Sequence, residues 1–169
     1  IKKESENALK ILGVKNYNFL EIPATKINEL PISDLNSLLD KEVFSFKPNI
    51  VFVPFPDRHI DHKLIFESCM VVTRPIERYK FIENVAAYET LSETHWNAPF
   101  IEPTFSPNWF VEINNEIKTK IEALKCYKSQ INSKNYSRSI EAVKSLANFR
   151  GSQNGFKFAE AFQIIRKIN

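Results

Sequence analysis

The sequence predicts an α/β protein of Rossmann-like type, a mostly parallel sheet flanked by helices, and three observations carry that prediction. Apolar residues at helical spacing alternate along the chain with short apolar runs of strand type. Asn49-Ile50-Val51-Phe52-Val53-Pro54 is continuously apolar and rich in β-branched side chains, as in a strand buried on both faces of a parallel sheet. The densest group of reactive side chains follows that strand directly, where open parallel sheets bind ligands.

Taken in order, Glu6 to Leu12 has helical apolar spacing, and Gly13 stands where a left-handed residue would close the helix. Tyr17 to Ile22 reads as a short strand ended by Pro23. Ser33-Asp34 is expected to cap a second helix with apolar positions at Leu35, Leu38, Leu39, Val43 and Phe44, stopping before Pro48. After the strand at 49–54 the chain continues as a helix from Lys63 to Val72, and Val85 to Tyr88 forms a further strand. Leu91 to Pro107 is a loop dense in aromatics, and Trp109 to Ile113 is a fourth strand. Helices are expected from Asn114 or Asn115 to about Gln130, from Arg138 to Phe149, and from Phe158 to Ile168.

With 169 residues, 43% of them hydrophobic, the chain can bury one core, and a single domain over residues 1–169 is expected. Ile1 to Glu6 already read as the middle of an amphipathic helix, so the domain is expected to be incomplete at its N-terminus. The net charge of +3 comes from 23 basic and 20 acidic residues spread over the whole length. No strong field therefore invites nucleic acid or an anionic membrane, while a neutral or weakly charged sugar-sized substrate is compatible. Cys69 and Cys126 lie far apart, in helical patterns with apolar neighbours, and read as two buried reduced thiols of a cytoplasmic protein. No apolar run reaches the roughly 18 residues a membrane-spanning helix requires, and no secretion signal opens the chain. A homo-oligomer is compatible with this composition.

Pro56-Asp57-Arg58-His59-Ile60-Asp61-His62 holds two imidazoles and two carboxylates at the mouth of a helix, and two of the chain's three histidines are here. Residues three apart share a helix face, so His59 and His62 can both project over the strand ends. Imidazole nitrogen and carboxylate oxygen suit a divalent ion such as Zn²⁺, and a catalytic zinc site takes three protein ligands. On residue type alone the cluster can supply one, two or three of them. The competing reading is a helix cap with solvated histidines; the position after a buried strand tells against it.

Asp57-Arg58-His59-Ile60-Asp61-His62 resembles the D-x-H-x-D-H signature of the PIG-L/LmbE-like deacetylases. Lys47-Pro48-Asn49-Ile50-Val51-Phe52 is similar to that family's K-P-D-V-V strand entry. Tyr88-Glu89, Ser92-Glu93-Thr94-His95-Trp96, Phe110 to Ile113, Tyr127 to Gln130, Arg150-Gly151 and Ala159 to Phe162 follow in the family's order. The resemblance implies an LmbE-like fold and zinc-assisted hydrolysis of the acetamide of an amino sugar or glycoconjugate, of N-acetylglucosamine type, releasing acetate. It places the zinc ligand at His62, a catalytic role at His59, and an orienting role at Asp61; Fe²⁺ or another divalent ion would suit the same donors.

The family's H-P-D-D motif, which ends its first strand and supplies two further ligands and the general base, is not among these residues. The first strand is therefore expected to be missing and this chain alone to be inactive. His95 matches nothing in that motif and reads as a loop histidine beside Trp96. Tyr88, Glu89 and Arg150 are substrate-binding candidates; Arg150 can equally pair with Glu160, and Gly151 can simply permit a turn. No G-x-S-x-G elbow, Walker loop or G-x-G-x-x-G occurs, which excludes those hydrolase, nucleotide and dinucleotide classes. The rival readings are a non-catalytic carbohydrate-binding or assembly subunit, and a metal hydrolase of other specificity on the same scaffold.

Overall fold

The computed structural model describes residues 1–168. Their elements are α1 (Lys2–Ile11), α2 (Ile32–Phe46), β1 (Ile50–Pro54), α3 (Ile60–Val72), β2 (Asn84–Tyr88), β3 (Trp109–Glu112), α4 (Ile117–Lys125), α5 (Ile140–Ser152) and β4 (Ala159–Lys167). The sheet order is β1-β2-β4-β3. The chain forms two compact units, one of Ile1–Leu20 with Phe110–Ala161, the other of Glu21–Trp109 with the stretch from Phe162 onward.

The second unit carries the predicted reactive segment. Its β1 and β2 pair in parallel, from Ile50 opposite Asn84 to Pro54 opposite Tyr88. Val53 is completely buried and packs with Phe55 and Ala87, while Val85, Ile82 and Tyr79 form a neighbouring cluster with Val43 and Val51. Burying such β-branched and aromatic groups is the main favourable term for a strand of this composition. Helix α2 begins at Ile32 behind Pro31, with no side-chain cap, so the cap expected from Ser33-Asp34 does not form; Asp34 lies inside the first turn, where its charge suits the helix dipole. The helix ends where expected, at Lys47 in left-handed geometry (φ 54°) just before Pro48. The Ser68 hydroxyl donates to Asn36, joining α3 to α2.

Tyr17 to Ile22 is not a strand: Glu21 takes a φ of 57°, which breaks the extended run before Pro23. The larger correction is at the C-terminus, where β4 replaces the helix expected from Phe158 to Ile168. Ala, Glu, Gln, Arg and Lys favour a helix there locally, but the slot beside β2 wins. Phe162 opposes Tyr88 and Lys167 opposes Asn84 in an antiparallel ladder, with an irregularity between Val85 and Ala86. Phe162 also packs its ring 4.8 Å from Phe52 and 5.4 Å from Trp109. Trp109 is thereby a packing residue.

In the first unit α1 contacts α4, and Ile113, Ile117, Ala147 and Phe158 form the core. The Glu4 carboxylate accepts from the Ser129 backbone N–H (2.9 Å) and hydroxyl (2.6 Å), which holds it below its ordinary pKa. Helix α4 is shorter than expected at both ends. Asn114 Oδ1 is taken by the Phe158 N–H (2.8 Å), and beyond Cys126 the chain turns toward Ser129. Gly151 sits within α5 and not at a turn; a Cβ there would stand 2.7 Å from the Phe156 carbonyl oxygen and 2.8 Å from the Phe158 nitrogen. Its role is close backbone approach. Both cysteines are reduced and half-buried, and burial pushes the Cys69 thiol up to about 11.

Candidate functional site

Strand β1 delivers the chain to the site. The Phe55 N–H still bonds to the Tyr88 carbonyl (3.0 Å), extending the β1–β2 pairing by one residue, and the Asp57 N–H then turns back to the Phe55 carbonyl (2.8 Å). The turn drives the Asp57 side chain inward, with no exposure to solvent. Its Oδ1 accepts from the His59 N–H (3.0 Å) and lies 2.8 Å from His62 Nδ1; its Oδ2 accepts from the Thr94 hydroxyl (2.9 Å). A buried carboxylate needs such donors, because an unpaired charge inside a protein is costly.

His59 is the N-cap of α3, and its ring Nδ1 accepts from the Asp61 N–H (3.2 Å). The cap is therefore a histidine, neither of the two aspartates. In its neutral form His59 carries its proton on Nε2. The His59 and His62 rings stack with centroids 4.7 Å apart and planes 24° from parallel. The two histidines are brought together at the helix mouth, with His59 as the extended N-cap and not as a helical residue three positions from His62. With Asp57 2.8 Å from its Nδ1, the His62 ring nitrogen that Asp57 does not engage is Nε2, the arrangement by which a carboxylate backs a metal-binding imidazole.

Asp61 is buried. Its Oδ2 accepts from the Thr25 N–H (2.7 Å), where Thr25 has a φ of 64°, and stands 4.0 Å from His59 Nδ1. Its Oδ1 has no hydrogen-bond partner among the described residues. The bond that fixes the His59 ring thus comes from the Asp61 backbone, with the Asp61 carboxylate one small displacement away.

The flanking charges are organised. Glu102 accepts from Lys63 Nζ (3.1 Å) and from the Ala98 N–H (2.8 Å), with Arg58 Nε at 3.8 Å. The Ala98 N–H and then Lys63 hold its carboxyl below the ordinary range. Tyr88 ends β2 beside the site, and partial burial raises its phenol above the usual value, with Cys69 and Asp57 acting in the same direction. Glu89 is almost fully buried and lies 3.1 Å from His95 Nε2. His95 is thus a partner of Glu89, more than the loop histidine beside Trp96 that its sequence context suggests. Arg150 belongs to the other unit, buried on α5, with Nη1 3.2 Å from Gln153 Oε1 and its guanidinium 5.4 Å from the Phe149 ring; Glu160 pairs there with Lys120. Two contributors have no individual signature in the sequence, the Thr94 hydroxyl and the Thr25 N–H. Thr94 falls within the Ser92–Trp96 stretch noted above, whereas nothing in the sequence marks the Thr25 turn.

Among the described residues no group of three or more His, Cys, Asp and Glu side chains could hold a metal ion. The donor set fits one coordination position, His62 Nε2, backed by Asp57.

Fold and site together define an α/β protein with a carboxylate–imidazole pair at the carboxyl end of a parallel strand. Residues 1–73 match the family model described as "PIG-L: GlcNAc-PI de-N-acetylase". The chain is 31% identical over 134 residues to the "Uncharacterized deacetylase YaiS" of Escherichia coli K12, covering 75% of this chain and 64% of that protein. It is 23% identical over 180 residues to the "Diacetylchitobiose deacetylase" of Thermococcus kodakarensis, covering 98% of this chain and 62% of that one. The crystal structure of conserved protein TT1542 from Thermus thermophilus superposes with a TM-score of 0.74 at 22% identity, over 99% of this chain and 74% of that chain. Residues 1–73 are thus similar to the PIG-L family, and the chain has an LmbE-like α/β fold. It spans 64% and 62% of the lengths of these two curated relatives.

Proposed function

We propose that this chain is the His59/His62 portion of a hydrolase that removes the acetyl group from an N-acetylated amino sugar, of N-acetylglucosamine type. The observation that carries the reading is the buried Asp57 carboxylate 2.8 Å from His62 Nδ1, with the His59 ring stacked against that of His62. The deacetylase relatives support the same reaction class.

The roles follow from the hydrogen bonds. Asp57 fixes His62 with its proton on Nδ1, so that Nε2 offers a lone pair. A divalent ion, zinc or Fe²⁺, held there together with ligands from outside these residues would polarise the acetamide carbonyl and acidify a water. His59 Nε2–H is the available donor for the oxyanion that forms at the carbonyl, or for the departing sugar amine. Asp61, 4.0 Å from His59 Nδ1, is the carboxylate positioned to hold the ring if it gains a second proton. Tyr88, at the end of β2, is placed to meet a sugar hydroxyl; Glu89 is already engaged by His95 and acts through it. For Arg150 the proposal is weaker in geometry, because its guanidinium contacts Gln153 and Phe149.

Acetate release from a panel of N-acetylglucosamine conjugates tests the reading. The full-length protein that carries these residues should release acetate from at least one conjugate, and His59→Gln in it should lower kcat by about 100-fold with little change in KM, the range expected for loss of one proton donor or oxyanion partner. A folded protein that binds the conjugates yet releases no acetate points instead to a carbohydrate-binding subunit.

A further inference from the structure

The segment between Thr90 and Trp96 belongs to the loop after β2, yet it reaches back to the centre of the site. The Thr94 side chain is buried, at 4% exposure. Its oxygen accepts from the Thr90 N–H (2.8 Å) and its hydroxyl donates to Asp57 Oδ2 (2.9 Å). The backbone of the same segment is closed by Thr94 N–H to Thr90 carbonyl (2.8 Å) and by Glu93 N–H to the same carbonyl (2.9 Å), so the hydroxyl is held in place by a small hydrogen-bonded turn.

The direction of each bond in this chain is fixed by the inventory of protons. The Thr90 N–H can only donate, so it fills an acceptor site on the Thr94 oxygen and leaves the single hydroxyl proton to point at Asp57. Asp57 ionised can only accept, and Oδ2 meets that proton. The carboxylate is thereby held with Oδ1 toward the His59 N–H and His62 Nδ1, so the ring proton of His62 resides on Nδ1. We infer that Thr94 is a positioning residue of the hydrolytic site: its hydroxyl, acting through Asp57, selects the His62 tautomer that exposes the Nε2 lone pair. The inference rests on the deacetylase reading only for its effect on turnover, because the relay itself is independent of the reaction.

Three substitutions separate the hydroxyl from the bulk of the side chain. Thr94→Val keeps the shape and removes the donor, Thr94→Ser keeps the donor, and Thr94→Ala removes the donor without adding bulk should valine disturb the fold. Nitrogen-15 NMR of the histidine rings reports the tautomer directly. The parent and Thr94→Ser should show His62 protonated on Nδ1, with that proton protected from exchange. The valine or alanine variant, with an unchanged circular dichroism spectrum, should show a mixture of tautomers and rapid exchange. In the acetate-release assay the same variant should lose about 10- to 100-fold in kcat/KM, with serine restoring most of it.

A variant lacking the hydroxyl that keeps His62 fully protonated on Nδ1 overturns the inference, as does loss of activity that serine fails to restore. A tautomer shift in protein that never releases acetate supports the relay while removing the deacetylase reading. Acetate release unchanged by a demonstrated tautomer shift leaves that reading intact and removes the role of Thr94.

Discussion

Asp57→Asn isolates the carboxylate from its shape. The side chain is fully buried and takes the His59 N–H and His62 Nδ1 on one oxygen and the Thr94 hydroxyl on the other. An asparagine must place its NH₂ group on one of those sides. On the Oδ1 side it would face two donors, the His59 N–H and the His62 ring. On the Oδ2 side it would face the Thr94 oxygen, and only the Thr94 proton would lose its acceptor. The second arrangement is the cheaper one, and it removes one hydrogen bond to a charged acceptor and weakens two others. At about 1.5–3 kcal/mol for a bond to a charged group, the expected destabilisation is about 2–3 kcal/mol. For a chain of this size that lowers the melting temperature by about 4–12 °C. Differential scanning calorimetry at pH 7 measures it, with Asp34→Asn, an exposed carboxylate in the first turn of α2, as the control. A melting temperature for Asp57→Asn within about 1 °C of the parent would refute the claim that the carboxylate's three bonds hold the start of α3 in place.

Gly151→Ala should destabilise the first unit by about 1–3 kcal/mol in urea unfolding despite alanine's better helix propensity, because the added Cβ meets the backbone of Phe156 and Phe158. An unchanged or raised midpoint would contradict the close approach. Asp40 accepts two bonds from Arg78 (3.3 and 2.6 Å) and one from the Tyr79 hydroxyl, and Arg78 first, then Tyr79, lower its carboxyl below the ordinary 3.8. The native state therefore binds fewer protons than the unfolded chain just below that pH. The contribution is complete above 3.8 and is lost as pH falls through the depressed native value. Asp40→Asn should be less stable than the parent at pH 7 and lose less on acidification; parallel curves for the two proteins would exclude the linkage.

Much of this architecture is legible in the sequence because local pattern and tertiary demand agree. The run Ile50–Pro54 is apolar at every position and becomes a strand, and its end delivers the Asp57–His62 cluster to the strand mouth as open α/β sheets require. The Pro48 stop of α2 follows from proline sterics alone. Where pattern and context part, the reading fails. Ala159 to Lys167 is locally helix-forming but is recruited by the free side of β2. Asn114 looks like a helix opener but spends its side chain on the Phe158 N–H. The site divides in the same way. Its imidazoles and carboxylates are recognisable by residue type and density, while the Thr94 hydroxyl and Thr25 N–H reach it from 37 and 36 residues away in sequence. Only the folded chain shows such partners, since a hydroxyl or a backbone amide has no distinguishing local context.

His62 as a metal ligand is tested most directly by divalent-ion content determined together with acetate release, on the full-length protein that carries these residues and on its His62→Ala variant. The parent should bind an ion and release acetate, and the variant should lose both while its fold persists. A variant that retains the ion and its activity would contradict the assignment of His62 as the ligand that Asp57 orients.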